Sequence, residues 1–214
     1  MLNFKEDGCE VYEDLIPKEA LKLLHKYTFS LEVEEPDSAR WLVPGDATKG
    51  EYSNPVMETI GAMIQPLIEK RTGLELSPTY TYYRKHSPGN SLLNHIDRHP
   101  CEISVTILLD AQYKGDKGYR WKIFADPEPY RNNETLDHNN LPNNKGVGVK
   151  QTPGDGLIYR GSDIPHWREK FVGEEGSYHT QLFCHFIDKN GPHYPKWKYD
   201  SRPGLGYPAS TRKY

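Results

Sequence analysis

Two short stretches of this chain carry residue types whose spacing could do chemistry. Within Ser91-Leu92-Leu93-Asn94-His95-Ile96-Asp97-Arg98, an imidazole and a carboxylate stand two residues apart. On an extended chain that spacing directs both side chains to one face, so His95 and Asp97 could grip two adjacent positions of a metal ion. A second histidine from elsewhere would complete a three-ligand set and leave further positions open, the facial arrangement that suits non-haem Fe(II). The candidate is His166, in Ile164-Pro165-His166-Trp167-Arg168-Glu169. Taken alone, His-x-Asp is also the composition of an ordinary surface turn, and its weight depends on the elements that must position it.

Those elements begin with helices and continue with strands. A short strand is expected around Glu10-Val11-Tyr12, then an amphipathic helix through Ala20, Leu21 and Leu24 to about Tyr27. Residues 28–53, rich in charge and broken by Pro36, Pro44 and Gly45, read as irregular. Asn54-Pro55 supplies an N-cap and a first-turn proline for a second helix that presents Val56, Ile60, Met63, Leu67 and Ile68, is kinked at Pro66 and stops at Gly73. From Leu76 the period changes. Thr79-Tyr80-Thr81-Tyr82-Tyr83-Arg84 favours a pleated surface, Ser87-Pro88-Gly89-Asn90 a turn, and Ile103 to Leu109 a core strand. Further strands are expected at 119–124, 157–160, 166–171 and 180–187.

Residues 126–155 hold six asparagines and four prolines and read as a lid or binding loop. The segment from Gly191, with five basic residues against one acid, reads as an extended surface tail. Helices first and about seven or eight strands afterwards predict one α+β domain over 1–214: a helical buttress over 1–75, a mainly β sandwich or barrel over 76–188, and a tail over 189–214.

At 214 residues the chain is long enough for one substantial core. A net charge of −3, from 27 basic and 30 acidic side chains, disfavours a nucleic-acid partner held by phosphate neutralisation. Three well-separated cysteines without a CxxC suggest neither a disulfide framework nor a thiolate zinc site, which fits a reducing, cytoplasmic setting. No apolar run is long enough to span a bilayer, and Lys5, Glu6 and Asp7 interrupt any signal core. Oligomeric state is not legible.

The order of parts resembles the Fe(II)/2-oxoglutarate-dependent dioxygenases, in particular their prolyl 4-hydroxylase-like branch. Tyr80 to Arg84, the turn at Pro88-Gly89 and His95-Ile96-Asp97 resemble the family's tyrosine-rich strand, turn and first two ligands. Pro153-Gly154-Asp155-Gly156, Leu157-Ile158 and Pro165-His166 resemble its later turn, strand and distal ligand. The resemblance implies a double-stranded β-helix, a jelly-roll or cupin-like barrel, with Fe(II) held by His95, Asp97 and His166. It also implies 2-oxoglutarate and O2 as cosubstrates, and hydroxylation of an unactivated C–H bond in a prolyl, amino-acid, peptide or other small-molecule substrate, with no catalytic residue needed beyond the ligands.

One departure stands out. Where this branch carries a basic residue about ten positions beyond the distal histidine, the chain has Gly176. Arg168, two residues after His166, is the best substitute for gripping the far carboxylate of 2-oxoglutarate, because arginine offers a bidentate fork. Lys170, Arg160 and Lys122 are lesser candidates, Tyr83 could add a hydroxyl bond, and an ion pair of Arg168 with Glu169 or Glu174 is the competing reading.

His185 reads as a hydrogen-bonded supporting histidine and His86 and His99 as loop residues. Trp121 and Trp167 read as core. Two rivals remain open: a non-catalytic cupin-like protein that binds or senses a small molecule, and a zinc hydrolase, which lacks an obvious general base.

Overall fold

The computed structural model describes residues 2–31, 49–127, 141 and 146–213. Its framework is ten strands among these residues, arranged in two antiparallel sheets. The larger has the order β1 (Cys9–Tyr12), β8 (Gly156–Tyr159), β5 (Ile103–Gln112), β10 (Tyr178–Asp188), β3 (Leu76–His86), β2 (Lys49–Tyr52). The smaller runs β4 (Leu92–His95), β9 (His166–Arg168), β6 (Ile123–Ala125), β7 (Val147–Val149). Three helices accompany them, α1 (Phe4–Asp7), α2 (Lys18–Ser30) and α3 (Pro55–Thr72). None of the described helices is long and apolar enough to cross a membrane.

Alternation along the large sheet sorts its side chains into two environments. Ile103, Val105, Ile107 and Leu109 on β5, and Leu182, Cys184 and Phe186 on β10, pack with Leu24 of α2 and Met57, Ile60, Ile64 and Ile68 of α3. The intervening residues Ser104, Thr106, Gln181 and His185 turn inward between the sheets, where they hydrogen-bond one another or the smaller sheet. A large apolar face covered by helices and a polar face turned to an enclosed interior is what places chemistry inside the barrel.

Helix α3 begins as expected: Asn54 Oδ1 accepts from the backbone N–H groups of Val56 and Met57, and Gly73 ends the helix with φ 75°. Its buried face is Met57, Ile60, Gly61, Ile64 and Ile68, whereas Met63 and Leu67 are exposed. The inward stripe is therefore turned from the expected one, with Gly61 in it facing Thr81 and Cys184. Helix α3 continues through Pro66.

Other expectations need correction. The strand expected around Glu10-Val11-Tyr12 is β1, but of residues 28–53, read as irregular, 28–30 end α2 and 49–52 form β2, so the segment 1–75 supplies both edges of the large sheet. The strand expected over 119–124 is only Ile123–Ala125, and that over 166–171 only His166–Arg168. The polar stretch 126–155 contributes β7, and its Leu141 is buried with its N–H donating to Asn94 O at 2.7 Å; residues 128–140 and 142–145, on which the lid reading rests, lie outside the described residues, as do 32–48 of the segment read as irregular.

The tail is not merely laid on the surface. Tyr199, Asp200 and Ser201 take left-handed conformations (φ 53°, 53° and 60°), which cost a non-glycine residue roughly 1–2 kcal/mol each. They are held because Asp200 and Arg202 are drawn inside. Arg202 Nη2 donates to Glu58 Oε1 at 2.8 Å and to Thr79 O at 2.8 Å, and Asp200 accepts from Tyr52 OH at 2.6 Å and pairs with Arg212.

Candidate metal centre

The smaller sheet brings the two histidines together. His95 ends β4, His166 begins β9, and they are direct cross-strand partners with ring centroids 4.2 Å apart. Each ring is oriented in the same way. His95 Nδ1 lies 2.8 Å from Leu93 O and His166 Nδ1 2.9 Å from Ile164 O. A carbonyl oxygen can only accept, so each Nδ1 carries the proton and each Nε2 presents a lone pair.

Asp97 lies just beyond β4, with its N–H donating to Gly161 O at 2.7 Å. Its Oδ1 stands 3.6 Å from His95 Nε2 and 3.7 Å from His166 Nε2. These separations exceed a hydrogen bond, and neither nitrogen has a proton to offer. The three ligand atoms, all within 4.8 Å of one another, therefore aim lone pairs at a shared point. A cation between them satisfies all three at once, and the two imidazoles and one carboxylate are the donor set that suits Fe(II).

The supports of Asp97 come from the large sheet. Ser104 Oγ donates to Asp97 Oδ2 at 2.9 Å and accepts from His185 Nδ1 at 2.9 Å. His185 thus has the supporting role read from the sequence. Gly161 is required by close approach: a Cβ there would fall 2.5 Å from both Asp97 Oδ2 and Ser104 Oγ. Burial raises the Asp97 carboxyl, and His166, His95 and His185 in their protonated forms would outweigh it and hold the group below the usual carboxylate range. Burial, reinforced by His95 and opposed by Asp97, pushes His166 down to about 4. An ionised carboxylate beside a neutral imidazole is the protonation state a metal requires.

Asp97, Cys101 and His185 form a second compact group. It is the poorer site. Burial pushes the Cys101 thiol well above its ordinary value, so the proton stays on sulfur, 3.1 Å from Tyr80 OH.

Arg168 shares the interior, 2 % exposed, with its guanidinium 4.7 Å from the centroid of the Trp121 ring. Nη1 donates to Trp121 O at 2.7 Å, and Nη2 to Gln181 Oε1 at 3.0 Å and Gln151 Oε1 at 3.3 Å. These partners are carbonyl dipoles. Among the described residues no carboxylate pairs with it, so the expected rivalry from Glu169 or Glu174 is absent; burial lowers its pKa to about 10. Arg160 and Lys170 are exposed, Arg160 lying against Phe4, and Lys122 is half-buried. None of these three shares the enclosed position of Arg168.

Tyr83 also requires correction. It is buried in the helix-covered core with Met57 and Ile60, on the face of β3 opposite the interior. Alternation gives the interior instead to Tyr80, Tyr82, Arg84 and His86. His86 is no loop residue: it ends β3, is 3 % exposed, and lies 4.9 Å from Trp121 ring to ring. Sequence reasoning missed Arg84 and His86 because a one-residue error of face exchanges every side chain of a strand. The signal that would have found them is the Tyr80-x-Tyr82-x-Arg84-x-His86 repeat of polar and aromatic residues.

No protein-family model matches the chain, and no curated protein matches it in sequence. Its fold is shared with solved structures across the Fe(II)/2-oxoglutarate oxygenase superfamily. A Pseudomonas putida prolyl-4-hydroxylase is 15% identical with a TM-score of 0.59, over 86% of this chain and 95% of that one. The non-haem α-ketoglutarate-dependent epimerase SnoN from nogalamycin biosynthesis is 11% identical with a TM-score of 0.63, over 87% and 78%. A 2OG-Fe(II) oxygenase family oxidoreductase from Burkholderia pseudomallei is 12% identical with a TM-score of 0.60, over 92% and 90%. At such identities the likeness establishes the fold, the α+β double-stranded β-helix, and leaves function to the site.

Proposed function

We propose that the protein is an Fe(II)- and 2-oxoglutarate-dependent dioxygenase that hydroxylates an unactivated C–H bond of an amino-acid, peptide or other small-molecule substrate. The observation that carries this reading is the convergence of His95 Nε2, His166 Nε2 and Asp97 Oδ1 as three lone-pair donors inside the barrel. When bound, the metal and its cosubstrates supply the oxidation, 2-oxoglutarate giving succinate and CO2 while the substrate C–H becomes C–OH.

The chain's own residues bind, orient and exclude water. His95, Asp97 and His166 would hold the ion on one side and leave its other side to the interior. Ser104 and His185 fix the rotamer of Asp97. Arg168 is the residue for the far carboxylate of 2-oxoglutarate: it is buried, needs a countercharge and offers a planar fork. Trp121, stacked on Phe171 at 5.1 Å, walls that end from solvent.

The test is anaerobic binding of Fe(II) and 2-oxoglutarate by calorimetry, followed by succinate release in air against a panel of peptides and free amino acids. Saturable binding of both and substrate-stimulated succinate are expected. Binding of both with no succinate above a metal-free control would identify a sensing barrel instead.

A further inference from the structure

We propose that the imidazole N–H of His86 is a second donor to the far carboxylate of 2-oxoglutarate, beside Arg168, and that the two together set the chain's selectivity for a dicarboxylate cosubstrate. The proposal rests on the dioxygenase reading above and deepens it by naming a further binding residue of the same interior.

Two neighbouring histidines stand in unlike conditions. His86 on β3 and His179 on β10 are direct cross-strand partners, 3 % and 1 % exposed, with ring centroids 6.2 Å apart. His179 is closed on both sides: its Nδ1 lies 2.7 Å from Tyr113 OH, and its Nε2 meets Gln181 Oε1. His86 is open on both. Neither of its buried ring nitrogens has a hydrogen-bond partner among the described residues, a costly condition for polar atoms away from water.

The open imidazole stands at the end of the barrel that holds Arg168. Both groups lie against Trp121, the Arg168 guanidinium 4.7 Å from the centroid of its ring and the His86 ring edge-on at 4.9 Å. A second link runs through Gln181, whose Oε1 accepts from Arg168 Nη2 at 3.0 Å and meets His179.

The field at His86 favours an anion. Burial first, then His179, Arg84 and Arg168, push its pKa well below the ordinary histidine value, and no acid is among the groups that act on it. The ring is therefore neutral, with one N–H to donate and one lone pair.

A carboxylate has roughly four lone-pair sites, and an arginine fork fills about two of them. In an enclosed site the others need protein donors, because water is not there to supply them. The His86 N–H is a buried donor with nothing else to bond, and 2-oxoglutarate brings a carboxylate to Arg168. One ligand group thus answers both needs.

Calorimetry on the Mn(II)-loaded protein tests this with 2-oxoglutarate and with 2-oxopentanoate, which keeps the chelating end and the chain length but lacks the far carboxylate. The parent should prefer 2-oxoglutarate. His86→Phe keeps a ring against Trp121 and removes both nitrogens. It should weaken 2-oxoglutarate roughly tenfold, the scale of one hydrogen bond to a charged group, and leave 2-oxopentanoate within about twofold of the parent. The Tm of the ligand-free protein should stay level or rise, since two unsatisfied buried atoms are gone. His86→Leu carries the same expectation where a phenylalanine is not accommodated, and His86→Gln, which returns an N–H, should recover part of the loss. Unchanged 2-oxoglutarate affinity in His86→Phe, or equal losses for both acids, would overturn the proposal, because the imidazole would then only fill space beside Trp121. A parent that binds both acids alike has no grip on the far carboxylate, which overturns the proposal together with the Arg168 assignment. A parent that takes up neither Mn(II) nor 2-oxoglutarate is a distinct failure, that of the dioxygenase reading itself, and this proposal falls with it.

Discussion

Two buried carboxylates in this molecule meet opposite fates. Glu58, on α3, is closed by Arg202 at 2.8 Å, by Ser53 Oγ at 2.7 Å and by the N–H of Gly206. Asp97, beside β4, receives only Ser104 and its own backbone support, and its second oxygen faces two imidazole lone pairs. In the first cluster every acceptor has a donor and the charge is neutralised within the chain, so it fastens the tail to the sheet and needs nothing else. In the second the facing atoms are all electron-pair donors, a set that a bound cation would complete. A buried charge with its counter-ion is architecture, and a buried set of converging lone pairs is a binding site.

The sharpest test of that contrast removes a ligand. Asp97→Ala or His166→Ala should abolish metal uptake and all succinate formation while thermal unfolding of the metal-free protein stays within a few degrees of the parent, or rises, because lone-pair crowding is relieved. Full metal occupancy in His166→Ala, read by elemental analysis, would break the comparison. The converse change is Glu58→Gln or Arg202→Met. Leaving one partner of a buried pair uncompensated costs about 3–5 kcal/mol, so the denaturation midpoint should fall steeply while the folded fraction still binds metal with parental affinity.

A third change addresses the Arg168 guanidinium, which among the described residues meets carbonyl oxygens and no carboxylate. Arg168→Ala should weaken 2-oxoglutarate binding by roughly ten- to a hundredfold, about 1.5–3 kcal/mol, with Arg168→Lys recovering part of it and metal binding unchanged. Parental cosubstrate affinity in Arg168→Ala would move the anchor elsewhere in the interior. The smallest effect is expected at Ser104→Ala, where Asp97 keeps its place but loses the hydroxyl that orients it; metal affinity should drop by roughly tenfold. A loss as complete as that of Asp97→Ala would mean that Ser104 determines the local backbone rather than one rotamer.

Sequence periodicity located much of the fold because three strands of the large sheet, β3, β5 and β10, are long and one-sided. Ile103 to Ile107 alternates apolar and small polar residues, before an apolar end, for a physical reason, helices on one face and a polar interior on the other. Asn54 and Gly73 bounded α3 because capping is local chemistry. The spacing of His95 and Asp97 was legible for the same reason: a separation of two on extended chain is a local statement, whereas the contact of His185 with Ser104, and through it with Asp97, was not.

What pattern could not decide lies in the contacts made across long separations. The pairing of His95 with His166 is a register choice between strands 71 positions apart in the chain, and no local preference encodes it. Tyr83 and Arg84 differ by one residue, yet one lies in the helix-covered core and the other in the barrel interior. Composition made the tail look like surface, with five basic residues and one acid after Gly191; its Arg202 is buried because Glu58, far away in α3, was waiting uncompensated inside. The sequence by itself determined which groups could ligate, cap and alternate, since those depend on chemistry within a few residues. Only the tertiary structure decided which charges find a counter-ion within the chain and which are left for a ligand, because burial and pairing are properties of the packed whole.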